Sequence, residues 1–271
     1  MGLRVNTNVA AMTAQRNLHT VSSRLNGNYS RLSSGLRIAT AADDAAGLGI
    51  SERMRSQIKS FGAAARNTQD GISLVQTAEG ALNEVSSLLT RGRELAVQSA
   101  NGTLSQADRD TIQVEFAAIK TEIERIADDT SFNGVQLLDN TTSLSIQVGI
   151  NSGETVAIAA VDTQGSALGI TSLDLSSQGG STAALATLDT AIGSVNTARG
   201  SLGASQNRLQ SALSSTLNAR ENLSAAESRI RDVDIASETT DLTRNSILQQ
   251  AATSVLSQAN VAPQIALSLL G

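Results

Sequence analysis

The sequence predicts a mainly α fold: a long antiparallel helical hairpin or coiled-coil bundle with one small β-hairpin and both termini at the same end. Three observations predict it. Met54, Phe61, Thr68, Val75, Leu82 and Leu89 recur every seven residues, with Ile58, Ala65 and Ile72 between them at steps of four and three, the spacing of one apolar seam on a helix. Near the other end Leu188, Val195, Leu202, Leu209, Thr216, Leu223 and Ile230 repeat the same interval, with Leu185, Ile192 and Leu213 between them. Each run would extend about 65 Å as helix, and two rods with matching seams most simply lie side by side. The third observation is composition. Only 1% of the chain is aromatic, so burial must come from Leu, Ile, Val and Ala along a long thin contact, and a single proline, Pro263, leaves nearly everything else free of the commonest helix breaker.

Taken in order, residues 1 to 33 form an amphipathic helix with Leu18, Val21, Leu25 and Leu32 in register and Val5, Val9 and Met12 ahead of them. Its other faces are polar, so it has little to keep it folded alone. Ser33 to Ser51 breaks the period and collects Gly35, Gly47 and Gly49, a joint between rods, with Asp43 and Asp44 placed to cap the next helix. After the first long helix, Asn101-Gly102-Thr103 signals a stop, and Ser105 with Asp108 resembles a capping box. Ile112, Phe116, Ile119, Ile123 and Ile126 then make a third rod, and Phe132-Asn133-Gly134 turns the chain.

From Leu144 the period changes to two. Leu144, Ile146, Val148 and Ile150 alternate with polar residues, Asn151-Ser152-Gly153 turns, and Val156 and Ile158 resume, which defines a β-hairpin at about 144 to 158. Residues 162 to 182, rich in Gly, Ser and Thr, are expected to be a short exposed connection, with Ser181 or Thr182 capping the return helix. Arg231-Asp232-Val233-Asp234 marks a second joint. The closing helix carries Leu242, Leu248, Ala252, Val255, Ala259 and Ala262 in a seam, and Pro263 is expected to bend or loosen it.

Several classes of function are disfavoured. With no cysteine there is no disulfide, thiolate catalysis or Cys-based metal site. A formal charge of −5 without a basic cluster argues against nucleic acid, and no segment approaches a membrane span. The start, MGLRVNTNVAAM, lacks the apolar core and cleavage site of a secretory signal. His19 has no second His or Cys for a triad or metal set, and Gly47-x-Gly49 is far short of a dinucleotide fingerprint, so no catalytic, cofactor or metal residue is assigned. Asp43, Asp44, Asp232 and Asp234 are interpreted as caps and joint polarity rather than a cation site.

Asn6-Thr7-Asn8-Val9, RLSSGLRIATAADDAAGLGISERM from Arg31 to Met54, RELAVQSANGT from Arg93, FNGVQLLD from Phe132 and the ending from Ile230 to Gly271 resemble bacterial flagellin, the subunit of the flagellar filament. The resemblance covers nearly everything except about residues 160 to 185, where larger members insert outer domains and this chain has only the short connection.

The resemblance implies an inner-tube domain from residues 1 to 44 and 231 to 271, and a long-helix domain from 45 to 230. It implies that the paired ends are disordered in the free monomer and fold on assembly, and that the chain leaves the cell through a type III exporter without a cleaved signal. The implied partners are copies of itself, an export chaperone on the C-terminal helix, the filament cap, hook-junction proteins and a Toll-like innate immune receptor. Polymer and inner-domain packing is assigned to Leu18, Leu25, Leu32, Leu242, Leu248, Val255, Leu269 and Leu270. By resemblance, a receptor patch falls on Arg91, Leu95 and Glu115, where Thr90 replaces the Gln usual in the family. Family habit also places O-linked sugars on Ser and Thr between Ser166 and Thr182. The alternatives are a hook-filament junction protein, which shares similar ends, and a monomeric secreted helical binding module.

Overall fold

The computed structural model describes residues 7–139 and 142–268. Helices α1 (Val9–Ser34), α2 (Ala45–Ser99) and α3 (Gln106–Asp129) are followed by short strands β1 (Ser131–Phe132), β2 (Val135–Gln136), β3 (Leu144–Gln147) and β4 (Thr155–Ile158), then by α4 (Gln178–Arg231) and α5 (Ile235–Ser268). The chain divides into two compact units. One gathers the ends, Met1–Ser56 and Asn222–Gly271, and the other the middle, Gln57–Glu221, so the division falls inside α2 and α4.

In the middle unit the heptad positions are the core. Val75, Leu82 and Leu89 of α2 and Leu188, Val195, Leu202 and Leu209 of α4 belong to one buried cluster with Phe116, Ile119 and Ile123 of α3. Thr68, which continues the α2 seam, is fully buried because its hydroxyl donates to the Ala64 carbonyl at 2.7 Å and leaves only its methyl face to pack. Close packing against α2, by α3 at one position and by β3 at another, explains two glycines. A Cβ on Gly92 would stand 3.1 Å from the Phe116 ring, and one on Gly71 would stand 3.1 Å from Ile146.

Helix α3 begins at the expected capping box: the Ser105 hydroxyl accepts from the Asp108 N–H, and the Asp108 carboxylate accepts from the Ser105 N–H. Phe132-Asn133-Gly134 does more than turn the chain. Asn133 and Gly134, with φ of 50° and 80°, form the two-residue loop of a minimal hairpin in which Phe132 pairs with Val135.

The second hairpin pairs Leu144 with Ile158 and Gln147 with Thr155. Its first strand ends at Gln147, before the expected Val148 and Ile150, because Glu154 rebuilds the turn. The Glu154 carbonyl accepts from both Val148 and Gly149, and its carboxylate accepts from the Asn151 N–H and side-chain amide.

The segment ahead of α4 also differs from the exposed connection expected there. Val161, Thr163, Leu168, Ile170 and Leu175 are buried, the last two completely. Side chains of α3 strap it down: Lys120 donates to the carbonyls of Thr171 and Leu173, Gln106 donates to that of Ser176, and the Gln113 carbonyl oxygen accepts from the Leu175 N–H. Apolar residues spaced through a Gly/Ser-rich run carry no helical or strand period, so composition concealed them. Helix α4 accordingly starts earlier than expected. Ser177, not Ser181 or Thr182, accepts from the Gly180 N–H, while the buried Ser181 hydroxyl donates to the Leu175 and Ser177 carbonyls.

Candidate functional site

The end unit is built on the pairing of α1 with α5. Along α1 the buried and half-buried positions include the series Ala11, Ala14, Leu18, Val21, Leu25, Asn28 and Leu32, and along α5 the series Glu238, Leu242, Asn245, Gln249, Ala252, Leu256 and Ala259. Both series alternate steps of three and four, so each helix turns one face to the other. Contacts run Asn8 to Ala259, Asn28 to Asn245 and Arg31 to Glu238, which makes the pair antiparallel.

Polar residues interrupt this seam in a matched way. The Asn245 amide donates to Oδ1 of Asn28 at 2.9 Å, the Asn28 amide donates to Oε1 of Glu238 at 2.6 Å, and Arg31 Nε donates to that same oxygen at 2.8 Å. A buried amide at a seam position specifies which residues face each other, because any slip leaves it unpaired. Asn28 carried a legible signal: it occupies the gap in the series Leu18, Val21, Leu25, Leu32.

The joints are stitched to each other by backbone. Gly35, at φ 71°, ends α1 in the left-handed conformation with its N–H on the Arg31 carbonyl. Leu36 bridges Asp232, Arg37 donates from its backbone to the Arg231 carbonyl, and Val233 donates to the Gly35 carbonyl. The mostly buried Arg231 reaches Glu52 at 2.6 Å. Gly47 and Gly49 are therefore not joint flexibility but the first turns of α2. A Cβ on Gly47 would stand 2.6 Å from the Asp44 carboxylate and 2.8 Å from Ile38, so a side chain there would have to displace the ends of both. The aspartates are engaged locally. Asp44 accepts from the Gly47 N–H as a cap, Asp43 accepts from Ala39 and Thr40, and Asp234 accepts from Ala236.

The eight residues expected to pack the polymer and inner domain separate. Leu25 is buried within the helical pair and Leu18, Leu32 and Leu242 are partly so, whereas Leu248 and Val255 lie one position off the α5 seam and are exposed. Leu269 and Leu270 lie outside the described residues. With Leu248 and Val255, the outward faces carry Val9, Met12 and Tyr29 of α1 and Ile235, Ile247 and Val261 of α5. Val9 and Ile247 are 63% and 60% exposed, which leaves apolar surface in water on both helices.

Arg91, Leu95 and Glu115 sit together on α2 and α3 in the middle unit. The Arg91 guanidinium donates to Glu115 at 2.8 Å and to Glu94 at 3.1 Å, and these partners, Glu115 first, hold its pKa above the ordinary value. Both members of that pair are exposed, but Leu95 is 1% exposed and belongs to the buried core of the same unit. Thr90 donates to the Ser86 carbonyl of its own helix. His19 lies exposed on α1. No helix among the described residues is long and apolar enough to cross a membrane.

Long antiparallel helices, ends matched by a buried polar network and outward faces left apolar define a structural helical protein that offers its surface to further protein. The chain belongs to the bacterial flagellin family. Its residues 5–143 match the bacterial flagellin N-terminal helical region, and residues 185–270 match the C-terminal helical region. It is 47% identical over 269 residues to the flagellin of Halalkalibacterium halodurans, covering 98% of this chain and 99% of that one. It is 44% identical to the flagellar filament 33 kDa core protein of Treponema phagedenis, again over 98% and 99% of the two chains. The crystal structure of Bacillus cereus flagellin is similar over 56% of this chain and 88% of that one, at 38% identity and a TM-score of 0.52.

Proposed function

We propose that the chain is the structural subunit of a bacterial flagellar filament, the extracellular propeller of the cell, and that it assembles with copies of itself without any catalytic step. The observation that carries this reading is the exposed apolar face of the end unit, from Val9 and Met12 on α1 to Ile247, Leu248, Val255 and Val261 on α5. These side chains are about half exposed, so covering the rest of each contributes about 1 kcal/mol, and copies of the same molecule are the cover a filament supplies. In this reading Leu18, Leu25, Leu32 and Leu242 hold the helical pair, and Leu248, Val255, Leu269 and Leu270 make contacts between subunits. Residues 1 to 44 and 231 to 271 form the inner tube.

Family membership supports export through a type III apparatus without signal cleavage, a chaperone on the C-terminal helix, and meetings with the cap and hook-junction proteins as further parts of this proposal. Recognition by a Toll-like receptor is the second reading for the middle unit. The exposed Arg91–Glu115 pair favours it, while Leu95 belongs to the buried core of the same unit.

Negative-stain microscopy of the purified chain after adding ammonium sulfate or seeds tests the filament reading. Long filaments are expected, and persistent monomers would overturn it in favour of a binding module. Removing residues 262–271 is expected to abolish filaments while leaving the helical signal of the middle unit intact. A receptor reporter that stays silent at concentrations where a typical flagellin signals would end the second reading.

A further inference from the structure

Asn8 and Pro263 are far apart in sequence, yet one backbone carbonyl connects them. In an α-helix the N–H of each residue donates to the carbonyl four residues earlier, and proline has no N–H to give. Helix α5 runs from Ile235 to Ser268 and contains Pro263, so the carbonyl left without its helical donor is that of Ala259. That carbonyl receives the side-chain amide of Asn8 at 2.7 Å. The other end of the same amide is also used: Oδ1 of Asn8 accepts from the Ala11 N–H at 3.1 Å as the N-cap of α1. The two ends of one short side chain thus divide between opening α1 and replacing the hydrogen bond that proline removes from α5.

We propose that Asn8 and Pro263 form a register lock. Proline frees an acceptor inside the helix, four residues before itself, and the observed register of α1 brings the capping amide to it. In a regular helix the carbonyls one turn to either side have their own donors, so a slip of one turn, about 5.4 Å, would leave both the Asn8 amide and the Ala259 carbonyl without their partners. The lock stands at the opposite end of the pair from the Asn28, Asn245, Glu238 and Arg31 network, and two pins fix the register where one would permit pivoting. It also fixes how the exposed Val9 and Met12 of α1 align along the pair with the exposed Val255 and Val261 of α5, the surfaces a neighbouring subunit would meet. That last consequence rests on the filament reading; the lock itself does not.

Hydrogen exchange on the full chain tests it through a double-mutant cycle. Asn8→Ser keeps a capping oxygen but is too short to reach α5, and Asn8→Asp keeps the cap but has no donor. Pro263→Ala restores the missing helical donor. Either change at Asn8 is expected to speed exchange of amides across residues 9–16 and 255–262 roughly three- to tenfold in the natural background. In the Pro263→Ala background the same change is expected to alter exchange less than about twofold, because Ala259 then has its helical donor back. Equal acceleration in both backgrounds, no acceleration in either, or no protection to lose would overturn the lock. Pelleted polymer and supernatant are analysed separately, so a failure to polymerise reads out apart from a failure of the lock.

Discussion

The guanidinium of Arg109, at the start of α3, donates to the carbonyl of Ser99, the last residue of α2, at 2.8 Å. It also donates to Asn101 at 2.9 Å and to Leu104 at 3.3 Å, and it is 7% exposed. The end of a helix presents carbonyls without donors and a partial negative charge, so a cation placed there answers both demands. Arg109→Met is therefore expected to leave three carbonyls without this donor and to destabilise the middle unit by about 2–3 kcal/mol. Arg109→Lys, with one point of attachment instead of a fork, should lose about half of that. Urea unfolding of the dispersed chain, followed by helical circular dichroism, measures both; a Met variant within error of the natural chain would remove Arg109 from this role.

The helical glycines divide into two groups with opposite expected effects. A Cβ on Gly200 would meet nothing within 4 Å, so Gly200→Ala should gain about 0.5–1 kcal/mol from helix propensity. A Cβ on Gly180 would stand 2.5 Å from the Asp174 carbonyl, and one on Gly92 would press on Phe116. Gly180→Ala and Gly92→Ala should each lose about 1–3 kcal/mol. The same urea series checks the sign; stabilisation by all three would mean that the close approaches at Asp174 and Phe116 relax freely.

Much of this architecture was legible because helices write their packing into a short period. Val75, Leu82, Leu89, Leu188, Val195 and Leu202 could be placed from spacing alone, and the Ser105–Asp108 box from residue types at a fixed offset. What escaped was of two kinds. Leu168, Ile170 and Leu175 anchor an irregular segment, and a segment without period gives no phase from which burial can be inferred. Leu248 and Val255 were read into the same α5 seam as Leu242 and Ala252, but they stand one position off it, since Gln249 and Asn245 lie on the inner face and a reading by hydropathy passes over polar residues. The pairing of the two chain ends was legible, while the division of their leucines and valines between inner and outer faces needed the pairing itself.

The Asn28 network yields a prediction on specificity. Asn28→Leu is expected to leave the Asn245 amide without its acceptor and to take one donor from Glu238, weakening α1–α5 pairing by about 1–3 kcal/mol. Replacing Asn28 and Asn245 together by Leu should recover part of that loss, yet relax the register, since apolar side chains accept more than one alignment. Thermal dissociation of polymer measures the first effect, and filament diameter and regularity in micrographs measure the second. A double variant that is both weaker than the single one and fully regular would contradict the assignment.

Acid should loosen α3 at its first turn. The Asp108 carboxyl is held below its ordinary value of 3.8 first by the Ser105 hydroxyl and then by the Ser105 N–H, with a smaller contribution from the charge of Arg109. A carboxyl whose value is depressed by folding binds its proton more weakly in the folded chain than in the unfolded one. Its contribution is thus present in full above the unfolded value and is lost as pH falls through the lower, folded one. The site is exposed, so the loss is local rather than global. In a nuclear magnetic resonance titration of the dispersed chain, the Ser105 amide is expected to shift with a midpoint below 3.8, and Asp108→Asn should abolish that titration. A midpoint at or above the ordinary aspartate value would mean that the capping box does not hold the charge in solution.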